Sequence, residues 1–240
     1  MLEGKIAIVT GASSGIGNAI TEALAREKAI VIMAARSIDM MASQANNLKN
    51  KYGSIVDAVK TDLTSEEDIK NLFKYTINTY GIPNILVNSA GVFVYKSLKE
   101  MSMEEHNKIF QLNYTSVVQT IKCALENMSE GVIINISSQA GMDGFDNETA
   151  YCASKFALNG FSQSLDKELE NIRVYALCPG LVDTPLARKS ELPKIIGISD
   201  EDDWKKQLQV SEVSKKVVEI ISNYNNYSDN VIIPLSSERV

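Results

Sequence analysis

Tyr151 and Lys155 stand four positions apart in a stretch of helical periodicity running from Ala150 to Glu170, which puts both side chains on one helix face. A phenol with a pKa of about 10 is a poor base at neutral pH, but a neighbouring ammonium stabilises the phenolate and lowers that value. Tyr151 is then expected to exchange protons with an alcohol or carbonyl oxygen near neutrality, a general acid–base contribution of ~10²- to 10⁴-fold. Ser137-Ser138 closes a buried β-branched run thirteen positions before Tyr151, where a hydroxyl at the carboxyl edge of a sheet can face a ligand. Asn113 falls in a long helical segment, Met103 to Asn127, among Ile109, Leu112 and Val117, and a polar side chain so placed needs a partner or a role.

Other chemistries have fewer residues to draw on. The single histidine, His106, excludes multi-histidine zinc sites and, in a polar turn of the helical segment Met103 to Asn127, is expected to be exposed and catalytically silent. Cys123, Cys152 and Cys178 lack metal-ligand spacing and read as small buried hydrophobes of a protein kept in the reducing cytoplasm. No metal is expected. With 24 Lys plus Arg against 30 Asp plus Glu, the net charge of -6 gives no global attraction for nucleic acid or anionic lipid. No apolar run approaches the ~18 residues of a membrane span, and Met1-Leu2-Glu3-Gly4-Lys5 leads into a strand rather than a signal sequence. The expected partner is a small molecule, with no nucleic acid and no membrane.

A second constellation lies at the start of the chain. Directly after the first β-branched run comes Thr10-Gly11-Ala12-Ser13-Ser14-Gly15-Ile16-Gly17, then a helical pattern. Without side chains at Gly11, Gly15 and Gly17, backbone N–H groups and a helix N-terminus can approach a pyrophosphate, and the helix can pack closely on the sheet. The second run ends Met33-Ala34-Ala35-Arg36-Ser37. An acidic residue there would accept hydrogen bonds from an adenosine ribose and repel a phosphate on it. Ala35 does neither, while Arg36 offers a charged fork to a 2′-phosphate and Ser13 and Ser37 add hydroxyl donors. NADP(H) is therefore favoured, with NAD(H) as the alternative.

These groups must be held by a scaffold, and the chain supplies one of regular design. Apolar residues are 45% and charged residues 22%, the balance of a folded globular protein rather than of a disordered or fibrous one. Runs at Ile6 to Thr10, Ile30 to Met33, Ile55 to Val59, Ile85 to Val87, Val132 to Ile136, Val174 to Leu177 and Val231 to Ile233 read as buried strands. Helical segments lie between them, including Ile16 to Glu27 and Glu66 to Thr79. Strand and helix alternating throughout predict an α/β fold, a Rossmann-like doubly wound parallel sheet of about seven strands with helices on both faces. One domain over 1–240 is expected, without an interdomain linker. Ser65 and Ser199, each followed by acids, read as helix N-caps. Pro185 to Leu208 breaks the alternation and carries Trp204, the pattern of a lid over a site at 185–208.

Taken together, these motifs resemble the short-chain dehydrogenase/reductase family, of the compact type with a Tyr-xxx-Lys pair, over essentially the full length. The likeness rests on the Thr10 to Gly17 turn, Asp62-Leu63, Asn88-Ser89-Ala90-Gly91, Asn113, Ser137-Ser138, Tyr151 to Lys155 and Pro179-Gly180-Leu181-Val182-Asp183-Thr184. The resemblance implies that Gly11, Ser13, Ser14, Gly15, Ile16 and Gly17 hold the pyrophosphate. Asp62 and Leu63 would flank the adenine, and Asn88, Ala90 and Gly91 would line the adenosine ribose side. Pro179, Gly180, Val182 and Thr184 would lie about the nicotinamide. Tyr151 would be the acid–base, Lys155 would bind nicotinamide ribose hydroxyls, Ser138 would orient the substrate oxygen, and Asn113 would hold a water in a proton relay.

Ser89 stands where the family usually has a second asparagine, and the tail Val231 to Val240 lacks the Gly-Gly of many members, a departure from the fatty-acid-synthesis ketoreductase branch. The implied reaction is reversible hydride transfer between NADP(H) and a carbonyl or secondary alcohol of a small organic molecule. Phe93, Tyr95, Met142, Phe145, Leu181, Leu186 and Trp204 are candidate walls of a mostly apolar substrate pocket, with Asp143 and Asp146 as polar groups near it. Epimerisation or dehydration through a transient ketone, and a catalytically idle dinucleotide sensor, are alternatives. Apolar residues over much of Met103 to Asn127 and Ala150 to Glu170 predict a homodimer or homotetramer.

Overall fold

The computed structural model describes residues 2–236 other than 226 and 228. Seven short β-branched segments form β1 (Ile6–Thr10), β2 (Ile30–Ala35), β3 (Val56–Lys60), β4 (Ile85–Asn88), β5 (Gly131–Ile136), β6 (Ile172–Pro179) and β7 (Ile232–Leu235). They make one seven-stranded sheet in the order β3-β2-β1-β4-β5-β6-β7, with every pairing parallel. Expected and observed strands coincide in place, and β6 extends beyond Val174 to Leu177 at both ends. Ile55, expected to open β3, is exposed and precedes it. Of the tail, Ile232–Leu235 forms β7, while Ser237 to Val240 lie outside the described residues.

Parallel strands need crossovers, and these cover both faces. The helices are α1 (Gly15–Arg26), α2 (Ile38–Tyr52), α3 (Glu66–Thr79), α4 (Met103–Phe110), α5 (Ser116–Leu125), α6 (Thr149–Glu168), α7 (Pro185–Arg188), α8 (Leu192–Ile195), α9 (Glu201–Lys206) and α10 (Val210–Asn223). Alternate β1 residues point to opposite layers: Ala7 and Val9 join Ile20, Leu24, Met41 and Val217 of α1, α2 and α10, whereas Ile6 and Ile8 join Ile69, Leu72, Ile121 and Leu158 of α3, α5 and α6. The fold is the predicted doubly wound sheet.

Met103 to Asn127 is not one regular helix. A π-helical turn, Gln111–Thr115, separates α4 from α5, and Asn113 sits within it. His106 lies in α4, as expected, but is half-buried rather than exposed, its ring stacked on Phe110 with centroids 4.9 Å apart. Ser65 caps α3 by accepting from Asp68 N–H, but the later cap is Asp200, not Ser199. The Asp200 carboxylate accepts from the N–H groups of Asp202 and Asp203, while Ser199 donates from its hydroxyl and its backbone to Asp203. All three cysteines are buried and free. Among the described residues no helix is long and apolar enough to cross a membrane.

Segment 185–208 folds as α7, α8 and α9. Arg188 ties α7 to α9, pairing with Asp183 and Glu201 and lying 5.0 Å over the Trp204 ring. A parallel bridge from Val182 to Leu208 closes its base.

Candidate active site

Strand order reverses between β1 and β4, and the loops leaving the carboxyl ends diverge there into a cleft. Gly11 turns with φ +64°, and a Cβ on it would lie 2.7 Å from Ala90 Cα. A Cβ on Gly17 would lie 2.4 Å from the Gly11 carbonyl oxygen. Glycine is thus required where the turn passes the β4 loop and where α1 leaves it. Thr10 Oγ1 accepts from Ser89 N–H at 3.1 Å, joining the ends of β1 and β4. α1 starts without a side-chain hydrogen bond from its N-cap Ser14 and without an acid in its first turn, so its N–H groups are free to meet an anion.

A cavity of about 470 Å³ runs along this cleft. It brings together Gly11, Ser13, Ser14, Gly15, Ile16 and Gly17 with Arg36 and Ser37 after β2, Asp62 and Leu63 after β3, Ala90 and Gly91 after β4, and Tyr151, Lys155 and Thr184. Arg36 is exposed at the rim and, among the described residues, its guanidinium forms no hydrogen bond or ion pair. Hydrogen bonds from Thr64 hold the Asp62 carboxyl below its ordinary range, helped by Arg36. Asn88 does not line the cleft. It is buried behind it, donating to Asn135 Oδ1 at 2.9 Å and accepting from Thr120 Oγ1 at 2.8 Å, because the last β4 residue faces inward and only the loop after it turns out. Pro179, Gly180 and Val182 line a second, adjoining cavity.

Tyr151 lies in the first turn of α6 and Lys155 one turn on, with Lys155 Nζ 5.7 Å from the Tyr151 ring centroid. Phe93 meets the Tyr151 ring edge-on at 4.9 Å between centroids. The Tyr151 ring is half-buried by surface, yet protein surrounds it closely enough that burial pushes the phenol up to about 12, against a smaller lowering by a hydrogen bond with Ser138. Burial also brings Lys155 down to about 8. The expected lowering of the phenol by the ammonium is therefore not found. Lys155 Nζ donates to the Ile136 carbonyl at 2.9 Å and stands over the ring, and in a water-poor site desolvation outweighs the attraction at that distance.

Asn113 lines neither cavity. Its Oδ1 accepts from Val92 N–H at 2.8 Å, and its Nδ2 donates to the Val92 carbonyl at 3.0 Å and to Ser154 Oγ at 3.1 Å. The side chain is a joint between the loop after β4 and the start of α6, rather than a group facing the cleft to hold a water. Ser154 Oγ in turn donates to the Tyr151 carbonyl at 2.7 Å.

The second cavity, about 280 Å³, opens beside Ser138 and Tyr151. Phe93, Phe145, Leu181 and Leu186 are in its wall as expected, joined by Leu192 and Ile196 of segment 185–208. Tyr95, Met142, Asp143, Asp146 and Trp204 are not. Trp204 is buried beneath Arg188 instead, and the Tyr95 hydroxyl accepts from Asn147. Glu148, which the sequence did not single out, lines the cavity at the N-cap of α6.

The sequence model of the short chain dehydrogenases matches residues 5–194. The chain belongs to the short-chain dehydrogenase family. This short-chain dehydrogenase is 36% identical over 207 residues to an uncharacterized oxidoreductase of Staphylococcus saprophyticus, covering 81% of this chain and 88% of that one. An uncharacterized oxidoreductase of Staphylococcus aureus strain MRSA252 is 36% identical over 191 residues, covering 78% and 81%. Among solved structures, an alcohol dehydrogenase of the archaeon Thermococcus sibiricus complexed with 5-hydroxy-NADP superposes with a TM-score of 0.88 at 25% identity over 98% of this chain and 97% of that one. The actinorhodin polyketide ketoreductase with NADPH gives 0.88 at 28% identity over 99% and 98%.

Two contributions to the site of this dehydrogenase escaped the sequence. Thr10 reads there as the last residue of a strand, and its contacts with Ser89 lie 79 positions away. Glu148 carries no sequence signal, yet it is 6% exposed and burial alone pushes its carboxyl up to about 7. An acid whose folded pKa exceeds its unfolded value near 4.5 keeps its proton longer in the native state, so it costs nothing below pH 4.5 and destabilises increasingly up to about pH 7. The full cost is about 3 kcal/mol. Glu148→Gln is therefore expected to match the wild-type Tm near pH 4.5 and to exceed it at pH 8 by roughly 6 to 12 °C. Thermal unfolding of both proteins across that range checks it, and a pH-independent difference contradicts it.

Proposed function

We propose that the protein is an NADP(H)-dependent oxidoreductase acting on a carbonyl or secondary alcohol of a small organic substrate, with Tyr151 as general acid–base. One observation carries the reading: the glycine-turn cleft and the apolar cavity meet at Tyr151, sharing it with Ile16, Ser137, Thr184 and Leu186. A cofactor lying along the first would thus end where a substrate in the second begins. The uncapped N-terminus of α1, and glycines where any Cβ would collide, fit a pyrophosphate. Arg36, where β2 ends without an acidic residue, fits a 2′-phosphate, and the two structural neighbours were solved with NADP-type cofactors.

When bound, the nicotinamide supplies the hydride to the carbonyl carbon. The chain's own groups manage the oxygen. Ser138 and Tyr151 hydrogen-bond it as it gains negative charge, so their contribution grows toward the transition state. Tyr151, protonated well past neutrality, then gives up its proton. Lys155 would hold the nicotinamide ribose and place a positive charge beside the phenol. Asn113 acts as a positioning residue. Segment 185–208, whose Leu192 and Ile196 reach the cavity, serves as the lid of a single domain. Free buried thiols suit the cytoplasm. Outward-facing Met103 and Phe156 on α4 and α6 support a homodimer or homotetramer.

Mixing the protein with NADPH and a panel of ketones while following nicotinamide absorbance tests the reaction, and no oxidation with any ketone counts against it. For the cofactor, Arg36→Ala is expected to lower kcat/KM for NADPH by ~10- to 100-fold relative to NADH, the scale of a charge-assisted hydrogen bond. Equal losses with both cofactors would remove Arg36 from the 2′-phosphate.

A further inference from the structure

The apolar cavity contains a carboxyl group that, among the described residues, has no cationic partner. Among the described residues that line it, Glu148 and Tyr151 are the only ionisable side chains, and no lysine or arginine is present. Glu148 is 6% exposed, makes no capping hydrogen bond to α6 and, among the described residues, has neither a hydrogen-bond donor nor a cation as a side-chain partner; burial is the influence that shifts its ionisation. Its charge is felt at the Tyr151 phenol, so the carboxylate stands near the group that takes the substrate oxygen.

Buried carboxylates are ordinarily paired, because an isolated one loses its hydration without replacement. The α6 dipole favours a negative charge at this end, but a shorter Asp or Ser would supply a cap as well and satisfy an N–H, which Glu148 does not. An anionic substrate would meet repulsion here. A cationic one would supply the missing partner, and the aromatic rings of Phe93 and Phe145, which line the same cavity, also suit a cation with alkyl substituents.

We infer that the substrates of this site are amino ketones or amino alcohols, compounds whose ammonium group pairs with Glu148 while Ser138 and Tyr151 hold the oxygen. The inference rests on the proposed assignment of Ser138 and Tyr151.

Dimethylamino-substituted methyl ketones with one, two or three methylenes between carbonyl and nitrogen test it, each against its neutral isostere with an isopropyl group in place of the dimethylammonium. At neutral pH kcat/KM with NADPH is expected to favour the ammonium member of at least one pair by about tenfold or more, and Glu148→Gln to reduce that ratio by a similar factor. No preference in any pair, or a preference that survives Glu148→Gln, overturns the inference. Calorimetric binding to the NADPH-treated protein separates the two readings. Tight, Glu148-dependent binding of the ammonium member without turnover sinks the oxidoreductase assignment and keeps the cation site. Turnover with no binding advantage over the isostere sinks the cation site alone.

Discussion

Tyr151→Phe is expected to lower NADPH-dependent ketone reduction by ~10²- to 10⁴-fold, with little change in Tm or in NADPH affinity. The change removes one oxygen and leaves the ring, so the edge-on contact with Phe93 at 4.9 Å survives. Lys155 keeps its anchor, since its Nζ donates to the Ile136 carbonyl at 2.9 Å and not to the phenol. What disappears is the proton that burial holds on the phenol to about pH 12, the state an acid needs when a carbonyl is reduced. Stopped-flow or steady-state absorbance with a titration of NADPH binding measures both quantities. Undiminished reduction would remove Tyr151 from the chemistry and leave Ser138 or a water as the donor.

Asn113→Leu is expected to cost on the order of 3 kcal/mol of stability, because a side chain of similar size replaces three hydrogen bonds and strands the N–H and carbonyl of half-buried Val92 at about 1 to 3 kcal/mol each. For a chain of this size that is a fall in Tm of roughly 6 to 12 °C. The loss should also reach catalysis. Val92 precedes Phe93, which packs on Tyr151, and Ser154 links Asn113 to the Tyr151 carbonyl, so both supports of the phenol loosen together. Differential scanning calorimetry and kcat, measured well below the lowered Tm, check the two effects separately. Asn113→Asp, which keeps the acceptor for Val92 N–H but gives up both donors, should fall between the variant and wild type. An unchanged Tm in Asn113→Leu would contradict the clamp.

How much of this protein can be read before it folds depends on the range over which the cause acts. The glycine turn is legible because left-handed backbone at Gly11 and contact distances too short for a Cβ leave no other residue type. Tyr151 and Lys155 are legible because helical spacing is local, and the strands because continuous β-branched runs suit positions buried on both faces. Together these determined the parallel fold and the candidate cleft. Partners distant along the chain were not legible. Asn88 finds Asn135 47 positions on, and Asn113 finds Val92 and Ser154 at 21 and 41, so both side chains turned out to serve the scaffold.

Ionisation was the least legible property. Spacing puts an ammonium next to a phenol, but only the packed structure shows that both lose water and that desolvation governs each. Glu148 likewise stands out only in the packed chain, where among the described residues it is the one carboxylate lining a cavity that Leu192 and Ile196 of segment 185–208 help to wall. Sequence determined backbone shape and the types of reactive group, since dihedral preference and periodicity act over a few residues. Tertiary structure alone decided which groups are dry and what they touch, since burial and long-range pairing are properties of the whole packed chain.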